Sequence, residues 1–239
     1  SCSSSAHYRR YCNELYGKDL TQLNMVTIEQ LDSLLNELEI SGEHSLLDVG
    51  CGAGKISEYV FDKTGAHITG FDYAYEAIEA AQTRNNGNNS LDFIVCDIDS
   101  IEFPESSFDV VLSIDTLYFA SDLNRTVRSI RDCLRPGGKF AAFWSQICSD
   151  DGCGKKLSPD GTDLAKALSQ NCFHYKTWDH TKHEIGMWNR SIELMTQLKS
   201  DFEAEGRIDI CMSRLREGNQ HLKRYGAGRM ARYLYKAWL

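Results

Sequence analysis

The sequence predicts a doubly wound α/β fold, because helix and strand patterns alternate along its first 147 residues. The predicted strands are apolar throughout, instead of alternating between apolar and polar residues. Such strands are typical of a parallel sheet that helices cover on both faces. Ligands of these sheets bind beyond the carboxyl ends of the strands, so we expect the chemistry in the loops that follow the strands.

Local signals support each element of this pattern. A capping box, Thr27-Ile28-Glu29-Gln30, opens a helix whose apolar residues recur at helical spacing up to Leu38. Five strands are predicted at 45–49, 67–71, 91–96, 109–114 and 139–144. Helices are predicted from Ile56 to about Gly65, over 75–84 and over 122–134. The residues Pro136-Gly137-Gly138 predict a turn before the fifth strand.

The pattern changes after Ile147. Residues 148–163 are rich in Gly, Asp, Ser and Lys and predict an exposed loop. A short helix at 164–168 and a strand near 173–178 follow, and the apolar spacing over 188–202 indicates one long helix. A helix at about 212–225 and a closing strand at 230–238 complete the predicted elements.

Composition places the 239 residues among globular proteins, with 42% hydrophobic and 25% charged side chains. The net charge of −8 repels phosphate backbones and argues against a nucleic-acid partner. Residues 1–147 carry 11 basic and 22 acidic side chains, whereas residues 148–239 carry 15 and 12. The basic excess could attract an acidic substrate, but we favour solvated helix faces as its explanation.

The sequence gives no sign of a membrane segment or a secretion signal. Its longest apolar runs stay well short of the ~20 residues of a membrane span. The polar start at 1–5 has no signal-peptide pattern and no Met, and we leave it out of the fold prediction.

Nine cysteines, an odd number without a C-x-x-C pair, predict reduced thiols and a cytoplasmic location. Cys51, Cys96 and Cys133 lie in predicted strands or buried turns, where a thiol packs as a small apolar residue. Cys148 and Cys153, with the histidines that follow them, match no common zinc-ligand spacing, so no metal site is predicted.

The strongest signal is the glycine loop, Gly50-Cys51-Gly52-Ala53-Gly54, between the first predicted strand and its helix. Glycines at such a position let a ligand approach bare backbone amides. The dinucleotide fingerprint G-x-G-x-x-G would require a glycine where Lys55 stands. Asp48, just before the loop, would repel a pyrophosphate and suits a cationic ligand.

Two more acids lie at the ends of the next two strands. Asp72 lies 22 residues beyond Gly50, where a carboxylate can accept both hydroxyls of a ribose. Asp97 follows the third strand, where a carboxylate can accept a hydrogen bond from an exocyclic amine. Together with Asp48, these acids predict a ligand with a cationic head, a ribose and an adenine-like base.

This order of motifs resembles the class I S-adenosylmethionine-dependent methyltransferases, over residues 27–144. The matching motifs are Leu47-Asp48-Val49-Gly50-Cys51-Gly52-Ala53-Gly54, Asp72, Asp97, Phe108-Asp109-Val110-Val111 and Leu134-Arg135-Pro136-Gly137-Gly138-Lys139. The resemblance implies a Rossmann-like, mostly parallel seven-stranded sheet and S-adenosylmethionine as cofactor. It further implies one structural domain in three parts: an N-terminal helical lid at 1–40, a cofactor-binding core at 41–147, and a C-terminal part at 148–239. This last part would complete the sheet and supply cap helices that shape the acceptor site.

The resemblance also implies which residues of the core hold the cofactor. They are Asp48, Gly50, Cys51, Gly52, Asp72, Tyr73, Asp97, Ile98, Ser113 and Ile114. The glycine loop would line the methionine portion, and the second-strand acid would bind the ribose hydroxyls, with Tyr73 against the adenine. Asp97 would meet the adenine amine beside the Ile98 backbone, and the end of the fourth strand would lie near the sulfonium.

The acceptor side has candidate residues but no diagnostic motif. Asp115 and Tyr118 follow the fourth strand and are candidate catalytic residues. Asp115 could act as a base or bind a cationic amine, or it could cap the following helix. Tyr8 and Tyr16, in the predicted lid, could contact the methionine end of the cofactor or the acceptor, or pack on the core. Aromatic side chains of the C-terminal part suit an amine or an aromatic acceptor.

We therefore predict a cytoplasmic methyltransferase that acts on a small molecule, without a nucleic-acid or membrane partner. Three alternatives stay open: methyl transfer to protein or RNA, a nicotinamide-binding enzyme of the same fold, and a degenerate relative that binds the cofactor as a regulatory subunit. No residue identifies the acceptor atom as N, O, C or S, and the oligomeric state stays open.

Overall fold

A computed structural model describes residues 5–149 and 153–239, which contribute seven strands to one sheet. The strands are β1 (Ser45–Val49), β2 (His67–Asp72), β3 (Leu91–Val95), β4 (Phe108–Ile114), β5 (Leu134–Ile147), β6 (His174–Asp179) and β7 (Met230–Trp238). The helices are α1 (Ala6–Tyr16), α2 (Ile28–Leu38), α3 (Lys55–Thr64), α4 (Tyr75–Arg84), α5 (Leu123–Cys133), α6 (Asp163–Gln170), α7 (Thr181–Gln197), α8 (Lys199–Ala204) and α9 (Ile208–Gly226). Short 3₁₀ helices cover Ile98–Ser100, Leu117–Phe119 and Pro159–Gly161.

The sheet has the strand order β3-β2-β1-β4-β5-β7-β6. The β1–β2, β2–β3, β1–β4 and β4–β5 pairs are parallel. The chain moves outward from β1 in one direction to β3 and then returns to place β4 on the other side. This arrangement confirms the predicted doubly wound, mostly parallel, seven-stranded sheet. It also creates a switch point between β1 and β4, beyond whose carboxyl ends ligands of such sheets bind.

The described residues divide into two compact units that are each discontinuous in sequence. The first unit comprises described residues within 5–33, 145–158 and 179–232. The second unit comprises residues 34–144, 159–178 and 233–239. The division into a lid at 1–40, a core at 41–147 and a C-terminal part at 148–239 stays a prediction.

Local chemistry explains where the helices begin and end. In the capping box of α2, the Thr27 amide donates to Gln30 Oε1 (3.0 Å) and the Gln30 amide donates to Thr27 Oγ1 (3.2 Å). Gly65 ends α3 in the left-handed conformation (φ +71°) and its amide donates to Phe61 O. Ser5, which the sequence did not assign to the fold, caps α1 by accepting the Tyr8 amide. Residues 1–4 of the polar start lie outside the described residues.

The core of the first unit is rich in aromatic side chains from α1, α7 and α9. Its buried members are Tyr8, Tyr11, Cys12, Leu15, Tyr16, Met25, Trp188, Leu194, Met195, Leu198, Phe202, Ile210, Cys211, Tyr225 and Met230. The N-terminal tyrosines therefore pack inside this unit, which was one of the two interpretations of their spacing.

Two predicted elements differ from the structure. The single long helix over 188–202 is wrong, because α7 ends at Gln197 and α8 begins at Lys199. The apolar spacing runs through this break because Leu198 itself is buried. The turn at 136–138 is wrong as a boundary, because β5 already pairs with β4 at Leu134 and pairs again from Lys139. The residues between form a register irregularity within the strand, where Gly137 adopts φ +79°.

The prediction of reduced thiols is wrong for Cys148 and Cys153, which form a disulfide bond. The loop over 148–163 is not wholly exposed either, because Cys153 and Thr162 are buried. Six other cysteines of the described residues are free thiols. Within 5–149 and 153–239, no group of three or more metal-binding side chains is present, and no helix combines the length and apolarity of a membrane span.

Candidate cofactor site

The glycine loop joins β1 to α3, and its three glycines have different surroundings. Gly50, Gly52 and Gly54 all have positive φ angles, of +74°, +54° and +75°. A Cβ on Gly50 would lie 2.5 Å from Thr116 Cγ2, and one on Gly54 would lie 2.6 Å from Phe93 Cε1. A Cβ on Gly52 would meet no atom within 4 Å. Gly50 and Gly54 therefore allow the loop to pack, whereas Gly52 presents open backbone.

Asp72, at the carboxyl end of β2, is held by backbone amides. The Gly52 amide donates to Asp72 Oδ2 (2.9 Å), and the Ala74 amide donates to Asp72 Oδ1 (3.0 Å). These bonds fix the carboxylate beside the one open glycine of the loop. A carboxylate has about four lone-pair sites, so Asp72 keeps acceptor capacity for a ligand.

Asp48, near the end of β1, is buried rather than open to a ligand. The Ser57 hydroxyl, on α3, donates to Asp48 Oδ2 (2.6 Å). Burial raises the pKa of Asp48 to about 6, a shift that the Ser57 hydrogen bond opposes and the nearby Asp72 carboxylate adds to. Near neutral pH most of this carboxyl is ionised, so it places a negative charge behind the glycine loop.

Four further predicted cofactor residues of the second unit follow β2 or β3 or lie in the glycine loop. Tyr73 is 77% exposed. Asp97 is exposed and accepts the Asp99 amide (2.9 Å), which opens the short helix that contains Ile98. Cys51 is largely buried, which raises its thiol pKa far above the usual range and leaves it an inert packing group.

The end of β4 contributes hydroxyls that hold the glycine loop. Ser113 is fully buried, and its Oγ is hydrogen-bonded to Thr116 Oγ1 (2.7 Å). Thr116 Oγ1 donates in turn to the Val49 carbonyl (2.7 Å), immediately before Gly50. Ile114 is buried beside them. The sequence reasoning missed Thr116, because its function depends on contacts between distant segments and no local motif marks it.

Asp115 and Tyr118 form a pair at the same edge of the sheet. Asp115 adopts a left-handed backbone (φ +58°), unusual for a residue with a side chain. The Tyr118 hydroxyl donates a hydrogen bond to Asp115 Oδ1. The Tyr118 ring lies 4.9 Å from the Trp144 ring, centroid to centroid. Asp115 caps neither helix that follows, because Thr116 is the N-cap of the 3₁₀ helix at Leu117–Phe119 and Asp122 is the N-cap of α5.

Tyr16, the last predicted cofactor residue, lies in the core of the first unit. Its hydroxyl accepts a hydrogen bond from Arg214 Nη2 (2.6 Å). Burial holds the pKa of Tyr16 well above its usual range, so the hydroxyl is neutral. Its contact with the cofactor stays a prediction.

The geometry thus brings Asp48, Asp72, Ser113 and the glycine loop together at the carboxyl ends of β1, β2 and β4. The family model described as a methyltransferase domain matches residues 47–142, which contain this whole arrangement. Residues 47–142 form a methyltransferase domain. The match confirms the resemblance that the motifs indicated for this part of the chain.

Relatives of the methyltransferase domain include enzymes with different acceptors. Phosphoethanolamine N-methyltransferase 1 of Zea mays is 32% identical over 190 residues, 74% of this chain and 38% of that protein. Sterol 24-C-methyltransferase ERG6A of Gibberella zeae is 34% identical over 113 residues, 46% of this chain and 30% of that protein. The chain spans between 23% and 42% of the length of the curated relatives that it matches.

A solved structure shows the same fold over almost the whole chain. It is phosphoethanolamine N-methyltransferase 2 of Haemonchus contortus, in complex with phosphomonomethylethanolamine and S-adenosylhomocysteine. The TM-score is 0.80 at 18% identity, and the match covers 97% of this chain and 56% of that chain. The likeness therefore extends beyond the methyltransferase domain to the fold of the C-terminal part.

Proposed function

We propose that the chain binds S-adenosylmethionine at the carboxyl ends of β1–β4 and transfers its methyl group to a small-molecule acceptor. The observation that carries this proposal is the hydrogen bond between the Gly52 amide and the Asp72 carboxylate. This bond holds a carboxylate that can accept ribose hydroxyls beside the open glycine of the loop. Both residues lie in the part of the chain that matches the methyltransferase-domain family. The relatives that use this domain support the same chemistry.

The residues present fit this cofactor. Asp72 is half-buried, with both oxygens oriented by amides and with unused lone pairs, so it can accept two ribose hydroxyls without reorganisation. The open space at Gly52 lets the ligand approach the backbone. The buried negative charge of Asp48 favours a cationic head group over a phosphate. The exposed ring of Tyr73 offers a face for adenine.

When bound, S-adenosylmethionine supplies a methyl group on a positively charged sulfur that serves as its own leaving group. The chain's residues then have to orient the acceptor in line and keep water away. Thr116 contributes by fixing the carbonyl that precedes the glycine loop, through its bond to Val49 O. A methyltransferase of this kind does not require a strong acid or nucleophile of its own.

We propose that Asp115 and Tyr118 are the residues that meet the acceptor. The Tyr118 hydroxyl already donates to the Asp115 carboxylate, so an acceptor that binds there can exchange that bond for one of its own. The adjoining faces of Tyr118 and Trp144 suit a cationic or aromatic acceptor. An amine acceptor could donate a proton to Asp115 as its nitrogen becomes nucleophilic.

We also propose a small-molecule acceptor in a reducing compartment such as the cytoplasm. The net charge of −8 disfavours a nucleic-acid acceptor. Six free thiols among the described cysteines, against one disulfide, favour a reducing location.

The first experiment is a calorimetric titration with S-adenosylmethionine, S-adenosylhomocysteine and NADH in parallel. We expect the first two to bind and NADH not to bind. Binding of NADH alone would overturn the proposal, and binding of the first two without turnover would favour a regulatory relative. An acceptor screen that detects S-adenosylhomocysteine release then identifies the substrate class.

The role of Asp115 has its own test once an acceptor is known. Asp115→Asn should lower kcat by at least about tenfold, because amide nitrogen cannot take a proton. The affinity for S-adenosylhomocysteine should stay within about twofold, because no contact to the cofactor is assigned to this side chain. Asp122→Asn removes an equal charge at a helix cap nearby and serves as the control. An unchanged kcat in Asp115→Asn would remove Asp115 from the catalytic residues.

A further inference from the structure

The connection between β4 and α5 contains both residues that we propose to meet the acceptor. Asp115 and Tyr118 lie within residues 115–121, which we call the acceptor loop. The upstream part of this loop is tied to the glycine-loop side of the cofactor site, because Thr116 Oγ1 donates to the Val49 carbonyl (2.7 Å). How the downstream part is held decides whether the whole loop keeps its place.

The downstream part of the acceptor loop is exposed, and a carboxylate from another loop holds it. Phe119 is 75% exposed and Ser121 is exposed as well, so burial does little to fix them. The Ser121 amide donates to both carboxylate oxygens of Asp99, at 2.9 Å to Oδ1 and 3.2 Å to Oδ2. Hydrogen bonds from the Ser121 hydroxyl and amide hold the pKa of Asp99 below its usual range, so the carboxylate is ionised.

Asp99 belongs to the turn that contains the predicted adenine-side residues of the cofactor site. This turn is the short helix Ile98–Ser100, and Asp97 opens it by accepting the Asp99 amide (2.9 Å). Asp97 and Ile98 are the residues that we expect to meet the adenine. The acceptor loop is therefore tied at both ends to segments of the proposed cofactor site, upstream near the glycine loop and downstream on the adenine side.

Capping of α5 does not explain the bond between Asp99 and Ser121. Asp122 is the N-cap of α5 and accepts the Arg125 amide (3.0 Å), so the helix has a cap of its own. The helix dipole also favours an acid nearby, but that effect needs no bond to an amide that precedes the cap. The Asp99–Ser121 bond joins segments 22 residues apart and thus restrains the acceptor loop.

We propose that Asp99 is a positioning residue of the methyl-transfer site, which holds the acceptor loop in place relative to the adenine side of the cofactor. This inference rests on the proposed function, because it takes Asp97 to contact the cofactor and Tyr118 to meet the acceptor. A ligand that binds Asp97 restrains the turn at 98–100, and Asp99 passes this restraint to Ser121. The acceptor then meets a loop that the cofactor has already ordered, which supplies part of the orientation that methyl transfer requires.

The test is hydrogen exchange of backbone amides, measured by mass spectrometry with and without S-adenosylhomocysteine. In the ligand-free chain, Asp99→Ala should speed exchange over residues 119–122 by at least about fivefold, because the Ser121 amide loses its acceptor. In the unsubstituted chain, the bound ligand should slow exchange in both the glycine loop and the acceptor loop. In Asp99→Ala, the ligand should still slow exchange in the glycine loop but no longer over residues 119–122.

Two further variants make the comparison specific. Glu102→Ala removes an equal charge from an exposed residue just beyond the same turn, so exchange over residues 119–122 should stay within about twofold of the unsubstituted chain. Asp99→Asn keeps a carbonyl oxygen that can accept the Ser121 amide, so it should recover part of the protection. It also provides a second variant should Asp99→Ala fail to fold.

Kinetics separate positioning from a loss of stability. With the acceptor that the screen identifies, Asp99→Ala should lower kcat/KM for the acceptor by at least about tenfold, whereas KM for S-adenosylmethionine should stay within about twofold. Unchanged exchange over residues 119–122 in Asp99→Ala, in a chain that binds S-adenosylhomocysteine, would overturn this inference alone. Failure of the unsubstituted chain to bind S-adenosylhomocysteine would instead overturn the proposed function, and this role of Asp99 with it.

Discussion

The carboxyl edge of β1–β4 and the interior of the first unit both contain buried or half-buried charge, but they stabilise it differently. At the sheet edge, carboxylates accept hydrogen bonds from groups close to the glycine loop. Asp72 accepts the Gly52 amide, and Asp48 accepts the Ser57 hydroxyl. In the interior of the first unit, buried arginines also bind side chains that are far away in sequence. Arg214 contacts Tyr16, 198 residues away. The sheet edge keeps acceptor capacity for a ligand, whereas Arg214 and Arg232 of the first unit use their charges on internal pairs.

The largest expected effect on stability comes from breaking a buried charge pair of the first unit. Arg232 and Glu184 are each 2% exposed by side chain and lie 3.2 Å apart, Nε to Oε2. Arg232→Met should lower the free energy of unfolding by about 3–5 kcal/mol, because it leaves the Glu184 carboxylate buried without its partner. Urea unfolding measures the change.

A double variant separates the lost pair from lost packing. Glu184→Gln with Arg232→Met removes both charges and keeps an acceptor for Trp188 Nε1, which donates to Glu184 Oε1 (3.1 Å). The double variant should recover most of the stability lost in Arg232→Met. If it is as unstable as the single variant, the charge pair is not the source of the effect.

This difference between the regions also explains how much the sequence could predict. The glycine loop and the acids Asp48, Asp72 and Asp97 were predictable because each lies at a fixed place relative to one strand end. Thr116 was not, because its bond to Val49 O joins segments 67 residues apart. The disulfide between Cys148 and Cys153 was missed because thiol pairing depends on the distance between the cysteines, which are 5.9 Å apart at Cα.

Helices and strands were likewise predictable where local contacts determine them. The capping box of α2 was predicted correctly because all of its contacts are local. The break between α7 and α8 was not, since Leu198 keeps the apolar spacing of a continuous helix. The irregularity in β5 contains Pro136-Gly137-Gly138, which also has the composition of a turn, and only pairing with β4 distinguishes the two.

Alanine substitutions in the glycine loop test whether its glycines have separate roles. Gly50→Ala should lower the free energy of unfolding by about 2–4 kcal/mol, from left-handed strain and overlap with Thr116. Gly52→Ala has similar strain but no overlap, so it should cost about 1 kcal/mol of stability. It should nevertheless weaken S-adenosylhomocysteine binding, because a methyl group then occupies open backbone. Equal destabilisation by both substitutions would contradict this separation.

A third effect concerns the buried acid of the sheet edge. The pKa of Asp48 is about 6 in the folded chain, above the value near 4 of an unfolded chain. The folded state therefore holds more protons between about pH 4 and 6, and this group's contribution to stability falls as pH rises through that window. Across this window the contribution of Asp48 to the free energy of unfolding falls by up to about 3 kcal/mol. Urea unfolding of Asp48→Asn should show a flatter pH dependence than the unsubstituted chain, and parallel curves would refute the shift.

The last prediction is the most direct test of the sheet edge as a ligand site. Asp72→Ala should weaken S-adenosylhomocysteine binding by ~1.5–3 kcal/mol, the range for hydrogen bonds to a charged group. Asp92→Ala removes an exposed acid of β3 and should leave the affinity unchanged. Because Asp72 also holds the Gly52 and Ala74 amides, urea unfolding of each variant separates lost ligand contacts from a disordered loop. If Asp72→Ala binds as tightly as Asp92→Ala, the ribose-binding acid has been assigned to the wrong residue.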